Sequence, residues 1–292
     1  MTHRPISVVA LLIAVAACGS SGSTPSTEPP TTTTPPSTGA PALTSTTTDR
    51  EVLTVETKEG IPIDIHFPTA PGPLPVALLL HGSPPNTKED VSVFADLVAR
   101  ETGTLVYNVG WTEGGLDGVD GSVENVACAV AFARDTAELY EGDARRITVV
   151  GFSAGGWSGA TVALGGSTLG TNCESNSNSL PDAFVGIAGA YSAAIDGPVA
   201  GLLATDPEAL RASDPYTYLG ENPTLKLWLV HGDVDTEVPL SESQGFRDAL
   251  VANGYMVELV VLADTGHPGD SPLSPDNEEK VLTAIRSATG DG

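Results

Sequence analysis

Basic residues are scarce in this chain: 13 Lys and Arg stand against 37 Asp and Glu in 292 residues, a formal net charge of −24. Such a balance leaves no basic face to neutralise phosphates, which argues against a nucleic-acid partner and against electrostatic attachment to a membrane. The acids are scattered, and their bland reading is solubility. The apolar run at the N-terminus, Ile6 to Ala17, is too short to cross a bilayer as a helix. There is no internal repeat, no metal-ligand cluster and no phosphate-cradling glycine loop, so neither a metal nor a cofactor is expected. Cysteine is limited to three positions and histidine to five, which leaves few candidates for a disulfide or a general base.

What stands at the N-terminus has the layout of an export signal. Met1-Thr2-His3-Arg4 is a short basic stretch, Ile6–Ala17 an apolar one, and small residues lead to Cys18. Val15-Ala16-Ala17-Cys18 resembles the lipobox of bacterial lipoproteins, which implies cleavage after residue 17 and a lipid on Cys18; an ordinary secretory signal cut near Ala17 is the alternative. Residues 18–48 are almost wholly Ser, Thr, Pro and Gly, a composition that cannot bury apolar area and is expected to form a disordered tether. Residues 49–292 then form one folded domain outside the cytoplasm, held at the cell membrane only through its lipid, or secreted. Disulfides form in that compartment, and with Cys18 lipidated, Cys128 and Cys173 remain to pair.

Within 49–292, apolar runs alternate with helical periodicity. An antiparallel hairpin is expected over Val52–Thr57 and Ile63–Phe67. Strands are expected at Val76–Leu80, Thr104–Tyr107, Ile147–Val150, Ala183–Gly189, Leu225–Val230 and Met256–Leu262. Helices are expected near 88–102, 122–139, 154–165, 207–211, 240–253 and 275–289. This is an α/β pattern: a mostly parallel, doubly wound sheet with helices on both faces and, in 192–223, at most a minimal cap. Ligands of such sheets bind beyond the carboxyl ends of the strands.

The strongest chemical signal is Gly151-Phe152-Ser153-Ala154-Gly155, directly after one strand and before a glycine- and alanine-rich helix. A serine on a sharp strand-to-helix turn is a nucleophile elbow, with the helix N-terminus facing a developing oxyanion. Serine needs a base and a group to orient it. His3 leaves with the signal, and His66 lies in the hairpin. His81 and His231 end strands, and His267 lies in a loop after the last strand, followed by Pro268. His267 is the expected base. Its acid should follow the strand at 225–230, where Asp233, Asp235 and Glu237 are on offer, with Asp264 as a further candidate.

His231-Gly232-Asp233-Val234-Asp235-Thr236-Glu237-Val238-Pro239 is similar to the HGxxDxxVP stretch of α/β-hydrolase esterases, in their dienelactone-hydrolase-like and small lipase/esterase branch. The resemblance covers about residues 60–290 and implies Asp235 as the triad acid. His81-Gly82-Ser83 resembles that family's HGG-type loop, which implies Ser83 and Ala154 as backbone oxyanion donors, although Ser83-Pro84-Pro85 replaces further glycines. The activity implied is hydrolysis of a carboxylic ester, small or polymer-linked, through an acyl-enzyme. A serine peptidase of the prolyl-oligopeptidase type and a non-catalytic binding lipoprotein are the alternatives. Trp111 and Tyr191, near strand ends, are candidates to line a substrate pocket; Trp157 could equally be core.

Overall fold

The computed structural model describes residues 52–83, 86–111, 118–192, 207–267 and 272–290. The signal, Cys18 and the tether lie outside the described residues. Eight strands form one sheet: β1 (Leu53–Glu56), β2 (Pro62–His66), β3 (Leu74–Leu80), β4 (Leu105–Val109), β5 (Gly142–Phe152), β6 (Ala183–Ile187), β7 (Lys226–Gly232) and β8 (Val257–Leu262). The helices are α1 (Ser92–Thr102), α2 (Gly118–Thr136), α3 (Ala154–Gly165), α4 (Pro207–Ala212), α5 (Leu240–Ala252) and α6 (Pro275–Thr289). The strand order is β1-β2-β4-β3-β5-β6-β7-β8. The β1–β2 and β2–β4 pairs are antiparallel, and every pair from β4–β3 to β7–β8 is parallel.

The continuous apolar run of β3 is explained by burial on both faces. Leu78 and Leu80 join the core under α2, α3 and α5, while Ala77 and Leu79 join the one under α1 and α6. Val149 and Val150 of β5 divide in the same way. The sheet is therefore doubly covered, as the alternation of strands and helices requires.

Two elements depart from the sequence reading. β5 begins at Gly142, five positions before the apolar run, because Gly142 already pairs with Leu74, with a register shift before Val76 pairs with Ile147. The helix expected from Lys88 opens as a 3₁₀ turn over Lys88–Val91, and α1 starts at Ser92. The disulfide expected from the cysteine count is present, joining Cys128 of α2 to Cys173 in the loop after α3. The described part of the expected cap packs on α3 instead of over the strand ends: Thr161 Oγ1 donates to Ser213 O at 2.8 Å and Asn222 Nδ2 to Ala163 O at 3.0 Å. Residues 193–206 lie outside the described residues.

Candidate active site

Ser153 sits at φ 50° and ψ −117°, a region that a residue with a Cβ occupies only under strain. The turn is held from both sides. Ser153 N–H donates to Ile187 O at 3.0 Å, and the Ser153 carbonyl accepts from Gly156 N–H at 2.9 Å. Gly155 is required by close approach, since a Cβ there would stand 2.3 Å from the His81 carbonyl oxygen. Helix α3 is thus pressed against the end of β3, and the loop after β3 is brought to the serine: a Cβ on Gly82 would lie 3.5 Å from Ser153 Cβ. Ala154, the first residue of α3, and Ser83, whose carbonyl accepts from Asn86 N–H at 3.1 Å, flank the serine on the two sides of this approach.

The two later loops are tied to one another. Gly232, at the end of β7, lets them cross, because a Cβ there would stand 2.1 Å from the Thr265 carbonyl oxygen. Asp233 N–H donates to Leu262 O at 3.0 Å and Val234 N–H to Thr265 O at 3.1 Å. This crossing places Asp235 against His267, with Asp235 Oδ2 2.8 Å from His267 Nδ1. The other carboxylate oxygen, Oδ1, accepts the backbone N–H of Glu237 and of Val238, each at 2.9 Å. The Asp235 side chain is 0% exposed and that of His267 is 9% exposed. A buried carboxylate with this many hydrogen bonds is fixed in orientation. A carboxylate accepts hydrogen bonds only, so His267 Nδ1 carries the proton and Nε2 presents its lone pair.

The remaining acids of the segment are placed elsewhere. Asp233 is exposed and accepts from Thr265 N–H at 3.4 Å; Glu237 is exposed; Asp264 is exposed in a turn at φ 51°. Ser153, Ser83 and His267 line one cavity of about 310 Å³, with apolar walls from Val91, Phe94, Phe152, Leu273 and Val281.

Trp111 and Tyr191 are corrections to the sequence reading, since neither lines this cavity. Trp111 is 1% exposed; its ring packs 5.5 Å from His81 and its Nε1–H donates to the His81 carbonyl at 3.2 Å. Tyr191 is fully buried and stacks on Phe246 at 4.2 Å between ring centres. Both hold the scaffold behind the strand ends. Phe94 and Val91, by contrast, look like ordinary core positions in the sequence but face the cavity. The one available signal was their place at the start of the helix that follows the oxyanion-type loop. His81 lies in that loop: its Nδ1 lies 2.8 Å from the Gly82 carbonyl, and burial holds its pKa below the usual histidine value.

The strained serine between β5 and α3, with an Asp–His pair past β7 and β8 of a sheet in this strand order, defines an α/β hydrolase. The profile of the BD-FAE family, α/β-hydrolase-like esterases, matches residues 63–250, and the chain belongs to that family. It is thereby a carboxylic-ester hydrolase. No curated protein matches it in sequence. Among solved structures it is similar to a thermophilic esterase from the Planctomycetes species Thermogutta terrifontis in propionate-bound form, with 18% identity and a TM-score of 0.67 over 81% of this chain and 92% of that one. An acetyl ester-xyloside bifunctional hydrolase from Caldicellulosiruptor lactoaceticus is similar with 18% identity and a TM-score of 0.66 over 78% and 88%. T. terrifontis esterase 2 phosphoramylated by tabun is similar with 17% identity and a TM-score of 0.67 over 81% and 92%. These likenesses establish the fold.

Proposed function

We propose that the protein hydrolyses carboxylic esters through a Ser153–His267–Asp235 triad. The observation that carries this reading is the 2.8 Å contact between His267 Nδ1 and Asp235 Oδ2 at the wall of the cavity that also exposes Ser153. Ser153 Oγ attacks the ester carbonyl carbon while its proton passes to His267 Nε2. The tetrahedral oxyanion is held by the backbone N–H groups of Ala154 and Ser83. Collapse expels the alkoxide, which takes the proton from His267, and leaves an acyl group on Ser153. Water then attacks the acyl-enzyme, giving its proton to His267; the acid departs and the proton returns to Ser153. Asp235 remains an anion throughout and stabilises the imidazolium.

The compact, largely apolar cavity supports a short uncharged acyl group as the preferred substrate portion, in line with the propionate held by the T. terrifontis esterase. Export and anchoring through Cys18 belong to the same reading; the Cys128–Cys173 disulfide, a bond of oxidising compartments, supports it. The test is turnover of p-nitrophenyl acetate and butyrate by purified protein. Ser153→Ala and His267→Ala are expected to lose at least about a thousand-fold in kcat. Wild-type turnover by folded Ser153→Ala overturns the assignment.

A further inference from the structure

The buried imidazole of His231 has no part in the chemistry proposed above, yet it stands against the triad acid. His231 and Ser243 are both 0% exposed. His231 Nε2 lies 2.8 Å from the Val238 carbonyl oxygen and 3.4 Å from Asp235 Oδ2, while Nδ1 lies 2.7 Å from Ser243 Oγ. Only one proton arrangement satisfies all three contacts in a neutral ring. Both oxygens near Nε2 are acceptors, so Nε2 carries the proton; Nδ1 then holds a lone pair, and the Ser243 hydroxyl donates to it. The opposite tautomer would set a lone pair against a carbonyl and a carboxylate at once. Burial agrees with a neutral ring, holding the His231 pKa below the usual histidine value.

The same contacts close a loop around the acid. Val238 gives its N–H to Asp235 Oδ1 and its carbonyl to His231 Nε2–H. His231 therefore fixes the turn from 235 to 238 and sets the positive end of its Nε2–H dipole 3.4 Å from Oδ2. We infer that His231, with its tautomer set by Ser243, is a positioning residue for the hydrolytic triad: it holds Asp235 in the rotamer that presents Oδ2 to His267. This inference rests on the triad reading. The ionisable groups around His231 are Asp235 and Glu237 on its own loop and His267 after β8, with Glu242 and Tyr191 beyond Ser243.

Three variants test it: His231→Phe, His231→Gln and Ser243→Ala, each compared with Ser153→Ala by ester turnover across pH and by the rate of fluorophosphonate labelling. A carboxamide offers a donor and an acceptor on one carbon, much as the imidazole does across Cε1, so His231→Gln can keep the contacts to Val238 and Ser243. His231→Phe is expected to lower kcat about ten-fold or more at nearly constant KM, the scale of one charge-assisted hydrogen bond. Its labelling rate should fall in step. The acid limb of kcat/KM should move to higher pH, because an Asp235 without the Nε2–H dipole 3.4 Å away holds the imidazolium more tightly. His231→Gln should recover most of the loss, and Ser243→Ala should shift the profile in the same direction by less. A folded His231→Phe with wild-type kcat and an unshifted profile, beside an inactive Ser153→Ala, overturns the inference and leaves the triad standing. An active Ser153→Ala overturns both. If His231→Phe does not fold, Ser243→Ala decides: an unchanged kcat and pH profile there rejects the inference.

Discussion

Ser153 is held at φ 50° by its neighbours' backbone, so the residues that hold it are as constrained as the serine itself. Gly155→Ala puts a methyl 2.3 Å from the His81 carbonyl oxygen, an atom that cannot move without moving the loop of Gly82 and Ser83. That substitution is expected to destabilise the fold by about 3 kcal/mol and to lower kcat more than KM; thermal melts and ester kinetics read the two effects separately. A second residue-scale expectation concerns pH. Burial holds the pKa values of His66, His81 and His231 below the ordinary 6.5. Near and below that pH the unfolded chain binds protons that the folded one refuses, so stability is full above about pH 6.5 and is lost progressively as pH falls below it. Neither ring nitrogen of His66 has a hydrogen-bond partner among the described residues. His66→Phe is therefore expected to keep or raise Tm at pH 7 and to flatten its decline below about pH 6.5. An unchanged slope would assign the loss to other groups. At this scale much was legible in the sequence. Ser153, Asp235 and His267 each follow a strand, and the motif around each is local. The contacts of His231 and the places of Val91 and Phe94 at the cavity wall were not, because they arise from distances between segments that no spacing along the chain encodes.

Among the elements, the strands that were continuous apolar runs, β3 and β6, could be read directly, since burial on both faces leaves no polar position to obscure them. The first half of β5 could not, because Gly142–Arg146 is extended, joined to β3 through Gly142 across a register shift, while keeping polar, partly exposed side chains. A buried ion pair was also hidden. Lys88 in the 3₁₀ turn before α1 donates to Asp64 of β2 at 2.6 Å, and the two side chains are 9% and 12% exposed. Lys88→Met leaves the Asp64 carboxylate with Thr54 Oγ1 as a neutral donor at 2.7 Å and is expected to cost about 3 kcal/mol, measured by denaturant unfolding. The Cys128–Cys173 disulfide closes a loop of 45 residues and ties α2 to the loop after α3, away from the strand ends that carry the site. Its replacement by Cys128→Ala with Cys173→Ala is expected to lower stability by about 2–4 kcal/mol while leaving kcat near its original value. A large loss of kcat in the folded double variant would mean that the disulfide shapes the site.

For the molecule as a whole, the division of labour follows the sheet. The ends of β3, β5, β7 and β8 carry Gly82 and Ser83, Ser153, Asp235 and His267, so four separated segments meet only because parallel strands bring their carboxyl ends to one edge. The net charge of −24 favours solubility through mutual repulsion between molecules. If Cys18 carries a lipid, Cys18→Ala moves the protein from the membrane fraction to the soluble one without changing turnover of a soluble ester; an unchanged distribution rejects the anchor. The central claim is that Ser153 is the acyl acceptor. It is tested most directly by reacting the purified protein with a fluorophosphonate and mapping the modified peptide by mass spectrometry while following ester turnover. The account predicts a single adduct on Ser153, formed in proportion to the loss of activity and suppressed in His267→Ala. An adduct on another residue, or full turnover by protein whose Ser153 is wholly modified, would contradict it.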